Sequence, residues 1–489
     1  MMTEVQNIIG GEWRPASDSR TYEVTNPAHP DEVVGTAALA GQSDVRDAID
    51  AAHAAFTSWS GLSYGERAAY MRKAATLLIA DKEELGQRAR LFTREHGKIL
   101  REASIEFSRF GDRFEWCAAQ AERLARDEQL QGPPFDTIIT RQPRGVATLI
   151  VPWNWPMSIL GGKLPQALIT GNTVVIKLAE QCPMAPLQTL RMLAEALPPG
   201  VLNAIASPPS EIGDELIANP KVRKVNFTGS IAAGKTIMKT AAETLKALTL
   251  ELGGNDAALI LDDAALDDES IQRLVMATFM TTGQICMAAK RIYVDATRYD
   301  EFLDRFIPAV DRIAVGDGAK PNVTMGPLVT EMQLHVVQNL IADSRNIGAT
   351  VQELGTVDDA ETYSSGYFQR PAVVTDCPQH SRVVQEEQFG PVIPILKFSN
   401  DDEAVTLAND TEFGLSSSVW TTNPERAVAL ARRLEAGYTY LNGHGPMAQD
   451  QRGPFGGFKQ SGIGRNLGFE GMLDFMEPHS ISSPPGWLF

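Results

Sequence analysis

The sequence predicts an α/β fold of two domains in tandem, each a mostly parallel sheet flanked by helices. Three observations point there: a long stretch of helical periodicity before residue 125, strand-like apolar runs alternating with helices up to residue 254, and a second such alternation from Asn255 onward. At 489 residues the chain is also too long for one ordinary core, so two or three domains are expected.

From Ser43 to Ala125 apolar residues recur at helical spacing in VRDAIDAAHAAFTSW, RAAYMRKAATLLIADKEELGQRARLF and EASIEFSRFGDRFEWCAAQAERLA. The breaker QGPPFD ends that stretch. TIITRQ and GVATLIVPW then read as strands, GGKLPQALITG as a helix, TVVIKLA as a strand, KVRKVNFTGS as a strand and AAGKTIMKTAAETL as a helix, which is the signature of parallel βαβ units. The turn-prone GGND after LTLEL marks a boundary near residue 254. Beyond it come the strand DAALILDDA, a helix from Asp268 to Thr281, the strand RIYVDA, the helix YDEFLDRFIPAVDRI, and the strands ATVQEL, AVVTDC, PVIPILKF and SSVWTT.

Composition narrows the function class. With 43% hydrophobic and 21% charged residues the chain is ordinary globular protein. A formal charge of -17 and a pI near 5.0 disfavour nucleic acid and anionic membrane as partners, which call for a concentrated basic surface. An anionic cofactor stays possible, because helix N-termini and a single lysine hold phosphates locally. Cys117, Cys182, Cys286 and Cys377 lie far apart, without C-x-x-C spacing and with seven histidines in all, so neither a disulfide framework nor a metal site is expected. Free thiols, the lack of a basic-then-apolar segment in MMTEVQNIIGGEW and the lack of a run of about 18 apolar residues lead us to expect a cytoplasmic protein.

Three segments carry chemistry. In TTGQICMAAKR, Cys286 follows a Gly-Gln pair that lets backbone approach a ligand, although a lone cysteine is as readily structural. A thiolate adding to an aldehyde carbonyl gives a thiohemiacetal, and its oxidation gives a thioester, so one difficult step becomes two. LTLELGGNDA offers a base: Glu251 ends an apolar strand, where burial raises a carboxyl pKa, unless it is merely a solvated acid. LIVPWNWPMSILGGK offers an oxyanion donor in the side-chain amide of Asn154, whose alternative is satisfying turn backbone.

The motifs PWNWP, KLAE, FTGSIAAG, ELGGND, GQICMA, EEQFGPV and PFGGFKQSGIGR occur in the order and at the approximate spacing of the NAD(P)-dependent aldehyde dehydrogenase superfamily, and the resemblance runs from Ile8 to Ile481. It implies Cys286 as nucleophile, Glu251 as the base that activates water and thiol, an oxyanion hole from Asn154 and the Cys286 backbone N–H, and Lys163 in a proton relay. The cofactor it implies is NAD, with NADP possible. The family, like this chain, lacks a G-x-G-x-x-G turn; the positions matching its phosphate end are Phe227, Gly229, Ser230 and Gly234. Lys177 and Glu180 match the pair on the adenine ribose, where a carboxylate favours a free 2′-hydroxyl over a 2′-phosphate. Glu387 and Phe389 match the nicotinamide ribose and ring positions, and Pro152, Trp153 and Leu252 complete the implied cofactor contacts.

The implied architecture is a Rossmann-type cofactor domain (1–124 and 144–253), an α/β catalytic domain (254–470) and a small β oligomerisation element (125–143 and 471–489), assembled as a homodimer or homotetramer. Aldehyde would enter opposite the dinucleotide, along Phe110, Phe114, Trp155, Ile285, Met287 and Met447. No arginine or lysine stands out on those segments, so an uncharged apolar or aromatic aldehyde is expected. Three positions depart from the family pattern: Thr281 where many members have Asn, Asn466 where many carry a second glutamate, and Ala206–Glu211 in place of a glycine-rich turn. Two rivals stay open, a CoA-acylating enzyme, which typically lacks the glutamate at 251, and a non-catalytic protein that keeps the fold.

Overall fold

The computed structural model describes residues 3–489. The N-terminal helical stretch resolves into five helices, Gln42–Ser60, Tyr64–Ala80, Lys82–His96, Leu100–Ala118 and Ala121–Leu124. Their breaks follow from capping chemistry. Ser63 and Glu66 cap each other's backbone at the start of the second, Asp81 accepts from Glu83 and Glu84 at the start of the third, and Gly97 ends the third at φ 85°.

The first large sheet has eight strands, in the spatial order Gly462–Ile463, Ala247–Glu251, Val222–Thr228, Val146–Ile150, Thr173–Leu178, Leu202–Ala206, Asn7–Ile9 and Glu12–Arg14. The five central strands are parallel, and their residues are mostly buried because helices cover both faces. Strand order reverses between Val146–Ile150 and Val222–Thr228, and such a switch point opens a crevice beyond the strand C-termini. The two segments leaving those termini are PWNWP and Gly229-Ser230.

The second large sheet runs Thr350–Glu353, Ala372–Thr375, Val392–Phe398, Ala289–Asp295, Asp256–Ile260, Ser416–Trp420 and Tyr438–Leu441, parallel except at its first edge. Glu251 ends a strand of the first sheet and Asp256 begins one of the second, so the four residues LGGN alone span the two. Cys286 lies three residues before Ala289, at the same edge of the second sheet. The chain therefore brings its cysteine turn against the C-terminal edge of the first sheet. A return crossing helps, since Gly462–Ile463 pairs with Leu250 and Glu251.

A third sheet joins Glu128–Leu130, Asp136–Pro143 and Met476–Ser483, with Met476 opposite Pro143 and Ser483 opposite Asp136. The sequence reading did not foresee the small sheet of Thr3–Val5, His29–Ala38 and Thr21–Asn26. Among the described residues no helix is long and apolar enough to cross a membrane.

Candidate active site

A cavity of about 110 Å³ sits where the two sheets meet. Cys286, Glu251 and Asn154 line it together, so three residues spread over 132 positions of sequence converge on one space.

Asn154 is buried, and its Nδ2 donates to the Gln284 carbonyl at 2.9 Å, which ties it to the cysteine turn and leaves one amide hydrogen unused. The Cys286 backbone N–H has no partner among the described residues. Two free N–H groups beside one thiol are the components of an oxyanion hole. The turn that presents them is strained: Thr281 and Thr282 are left-handed at φ 51° and 58°, followed by Gly283 at 72°. Thr281 is also a hub, accepting from Trp155 Nε1 at 3.0 Å and donating to Glu102 at 2.9 Å. The departure at 281 thus links the cysteine turn to the cavity wall.

Burial pushes the Cys286 thiol up to about 12, more than Lys290 nearby can offset. At neutral pH the thiol keeps its proton and needs a base. Glu251 is buried, one of its oxygens has no partner, and burial raises its pKa while Lys163 and Arg465 pull it back. Lys163, fully buried, is lowered by the same loss of solvent. Its Nζ donates to Asn226 Oδ1, and Asn226 Nδ2 donates to Asn466 Oδ1 at 2.7 Å. A neutral amide, Asn466, ends this line.

The implied cofactor residues cluster at the C-terminal edge of the first sheet. Ser230 caps the twelve-residue helix Ile231–Ala242, whose first turn offers free N–H groups to a phosphate. Gly229 lies against the Phe227 ring and Gly234 against Leu252; a Cβ would come within 2.4 and 2.7 Å respectively. Lys177 and Glu180 pair at 3.2 Å at the end of the strand Thr173–Leu178, two places along the sheet from Val222–Thr228. At the other end the Trp153 and Phe389 rings stand 5.5 Å apart, just after Pro152. Glu387 is held there by Gly254 N–H at 3.0 Å and Lys290 Nζ at 2.7 Å, and that lysine also donates to the Gly254 and Cys286 carbonyls. A helix N-terminus at one end and an acid among aromatic rings at the other fit a dinucleotide.

The cavity corrects the expectations about substrate. Phe110, Trp155, Ile285, Met287 and Met447 line it, but Phe114 does not; it is fully buried and packs edge-on against Phe110 at 5.3 Å. Arg109 and Arg113 do line it. Ile105, Arg109 and Arg113 are spaced four apart on the helix Leu100–Ala118 and so share one face, a periodicity that a search for apolar walls overlooks. The premise behind an uncharged substrate, that no arginine stands out on these segments, therefore fails. Sequence reasoning also missed a buried ion pair: Lys98 Nζ donates to Glu106 at 2.5 Å and to the Asn154 carbonyl at 2.9 Å, and it lies 3.8 Å from the Trp155 ring centroid.

Comparison with known proteins agrees with this geometry. The family model described as the aldehyde dehydrogenase family matches residues 13–481. The chain is 37% identical over 481 residues to a mitochondrial succinate-semialdehyde dehydrogenase of Arabidopsis thaliana, covering 97% of this chain and 88% of the relative. It is 36% identical to an NADP(+) succinate-semialdehyde dehydrogenase of Escherichia coli, covering 96% of each. A crystal structure of betaine aldehyde dehydrogenase from Staphylococcus aureus in complex with NAD+ superimposes with a TM-score of 0.91 at 32% identity, covering 99% of this chain and 96% of that one. The chain belongs to the aldehyde dehydrogenase family. It is an NAD(P)-dependent aldehyde dehydrogenase with that family's α/β fold.

Proposed function

We propose that the chain oxidises an aldehyde to the carboxylic acid through a thioester on Cys286, with water as the final acyl acceptor. The observation that carries this reading is the convergence of Cys286, Asn154 and a buried Glu251 with a free oxygen on one cavity. Glu251 takes the thiol proton as sulfur adds to the carbonyl carbon. Asn154 Nδ2–H and the Cys286 N–H stabilise the oxyanion that results. NAD(P), when bound, supplies the two-electron oxidant that turns thiohemiacetal into thioester. Glu251 then removes a proton from water attacking the thioester, and the acid leaves as the thiol re-forms. Lys163, whose charge acts directly on Glu251 and whose Nζ is held by Asn226 Oδ1, takes protons on from Glu251.

Pro152, Trp153, Lys177, Glu180, Phe227, Gly229, Ser230, Gly234, Leu252, Glu387 and Phe389 would hold the dinucleotide. We assign a preference for NAD over NADP to Glu180, whose charge opposes a 2′-phosphate. Residues 1–124 with 144–253 form the cofactor domain, 254–470 the catalytic domain, and 125–143 with 471–489 the element through which a homodimer or homotetramer assembles. The last assignment rests on Leu130, Phe135, Ile481 and Trp487, large apolar side chains exposed on or beside the third sheet. Four free cysteines suit the reducing cytoplasm.

The test is product analysis: NADH and free acid should form together from aldehyde, NAD and water without CoA. Strict dependence on CoA would show that Glu251 does not activate water, and no turnover with any aldehyde would favour a non-catalytic role.

A further inference from the structure

We infer that the aldehyde this enzyme takes carries an anionic group at the end remote from the carbonyl, bound by the Arg113 guanidinium with the Gln449 side-chain amide. The inference rests on the reading of the cavity as the aldehyde site and deepens it.

Arg113 projects from the helix Leu100–Ala118, and its Nη1 is buried without a hydrogen-bond partner. No carboxylate forms an ion pair with it among the described residues. A half-buried guanidinium with one buried nitrogen and no counter-charge is costly, and loss of solvent lowers its pKa here. The local sequence makes room for it. Gly161, on the facing helix Pro156–Gly161, would place a Cβ within 3.0 Å of Arg113 Cγ, so any larger residue there would push the arginine stem aside. Gln449, from the segment between the last strand of the second sheet and the PFGG turn, lines the same cavity, and its Nε2 is likewise buried without a partner.

Two unanswered donors in one cavity match the oxygens of a carboxylate or a comparable anion, because a guanidinium presents a fork of N–H groups to such a ligand. The acids on the cavity wall do not fill that role. Glu106 is committed to Lys98 and to the backbone N–H groups of Met157 and Ser158. Glu251 stands at the cysteine end. Apart from Ser158, Thr228 and Asn466, the rest of the wall is mainly apolar, with Ile105, Phe110, Ile159, Met287, Phe455 and Leu467 among its residues. That layout fits a short hydrocarbon spacer with an aldehyde at one end and an anion at the other. Arg109, whose guanidinium meets the Met447 sulfur at 3.9 Å, adds a second positive charge on the same helix face.

The test compares succinate semialdehyde with butanal, which match in chain length and differ in the terminal carboxylate. The unmodified enzyme should show a kcat/KM at least tenfold higher for the former. In Arg113→Met that ratio should fall about ten- to hundredfold, chiefly through KM, the range set by losing one charge-assisted hydrogen-bonding partner. Arg113→Lys should restore part of it. In cofactor-free protein, glutarate should raise the melting temperature of the unmodified chain but not of Arg113→Met; this readout needs no turnover. Should Arg113→Met fail to fold, competition of glutarate against butanal in the unmodified enzyme decides. Equal or better use of butanal, an unchanged ratio in a folded Arg113→Met, or absence of competition would overturn the inference. Failure of every aldehyde to give NADH and acid would instead sink the underlying reading of the site.

Discussion

Glu251 shows how much one residue's surroundings decide. A carboxylate at a strand end was legible as a candidate base, but only the fold shows that one oxygen is free and that the group lies between Lys163 and the thiol's cavity. Its pKa is raised, so the carboxyl is protonated, and useless as a base, below that value and competent above it. We therefore expect kcat at saturating aldehyde to fall as pH drops, with a midpoint well above the ordinary 4.5 of a glutamate, and to recover as pH rises. A pH profile with its acid limb at or below that value would contradict the assignment. Glu180 makes a second prediction: the ratio of kcat/KM for NAD over NADP should exceed one and fall about tenfold in Glu180→Ser, as initial rates with both cofactors would show. Arg113 was illegible for a plain reason. The segment was sorted into helical faces by its apolar residues, and a cation on the pocket side of such a face looks like any solvated arginine until Gly161 and the cavity are placed against it.

Among elements, the parallel strands were the most readable. TVVIKLA, GVATLIVPW and RIYVDA are buried on both faces and so appear as unbroken apolar runs between turn signals. His29–Ala38 escaped notice because its half-buried residues follow no clean alternation and its pairing slips register at Val24/Thr25 and Thr25/Asn26. The ELGG junction shows why a motif can be read before its cause. A Cβ on Gly253 would fall 2.3 Å from a Glu387 carboxylate oxygen, and one on Gly254 would fall 2.5 Å from the Cys286 carbonyl. Gly253→Ala should therefore displace Glu387 from Lys290 and Gly254, raising KM for NAD about tenfold while the protein stays folded. Steady-state kinetics and a melting curve check it, and an unchanged KM would remove Glu387 from the cofactor site.

At the scale of the molecule, two sheets meet edge to edge and the third hangs beside them. The alternation of strands and helices made the two sheets legible, whereas pairing of Asp136–Pro143 with Met476–Ser483, more than 330 positions apart, leaves no local trace. The family resemblance supplied that element. Ile481 lies opposite Ile138 in this pairing and is 44% exposed. If the sheet carries assembly, Ile481→Arg should shift the particle from dimer or tetramer to a smaller species in size-exclusion chromatography with light scattering. A monomeric unmodified protein would contradict the oligomerisation role.

The central claim is a covalent acyl intermediate on Cys286 that Glu251 clears with water, and intact-protein mass spectrometry of Glu251→Gln tests it most directly. Mixed with aldehyde and NAD, that variant should gain the mass of one acyl group per chain, on the peptide containing Cys286, provided acylation proceeds slowly without the base. Cys286→Ala should gain nothing while still binding NAD. An adduct on another residue, or full turnover by Cys286→Ala, would contradict the account.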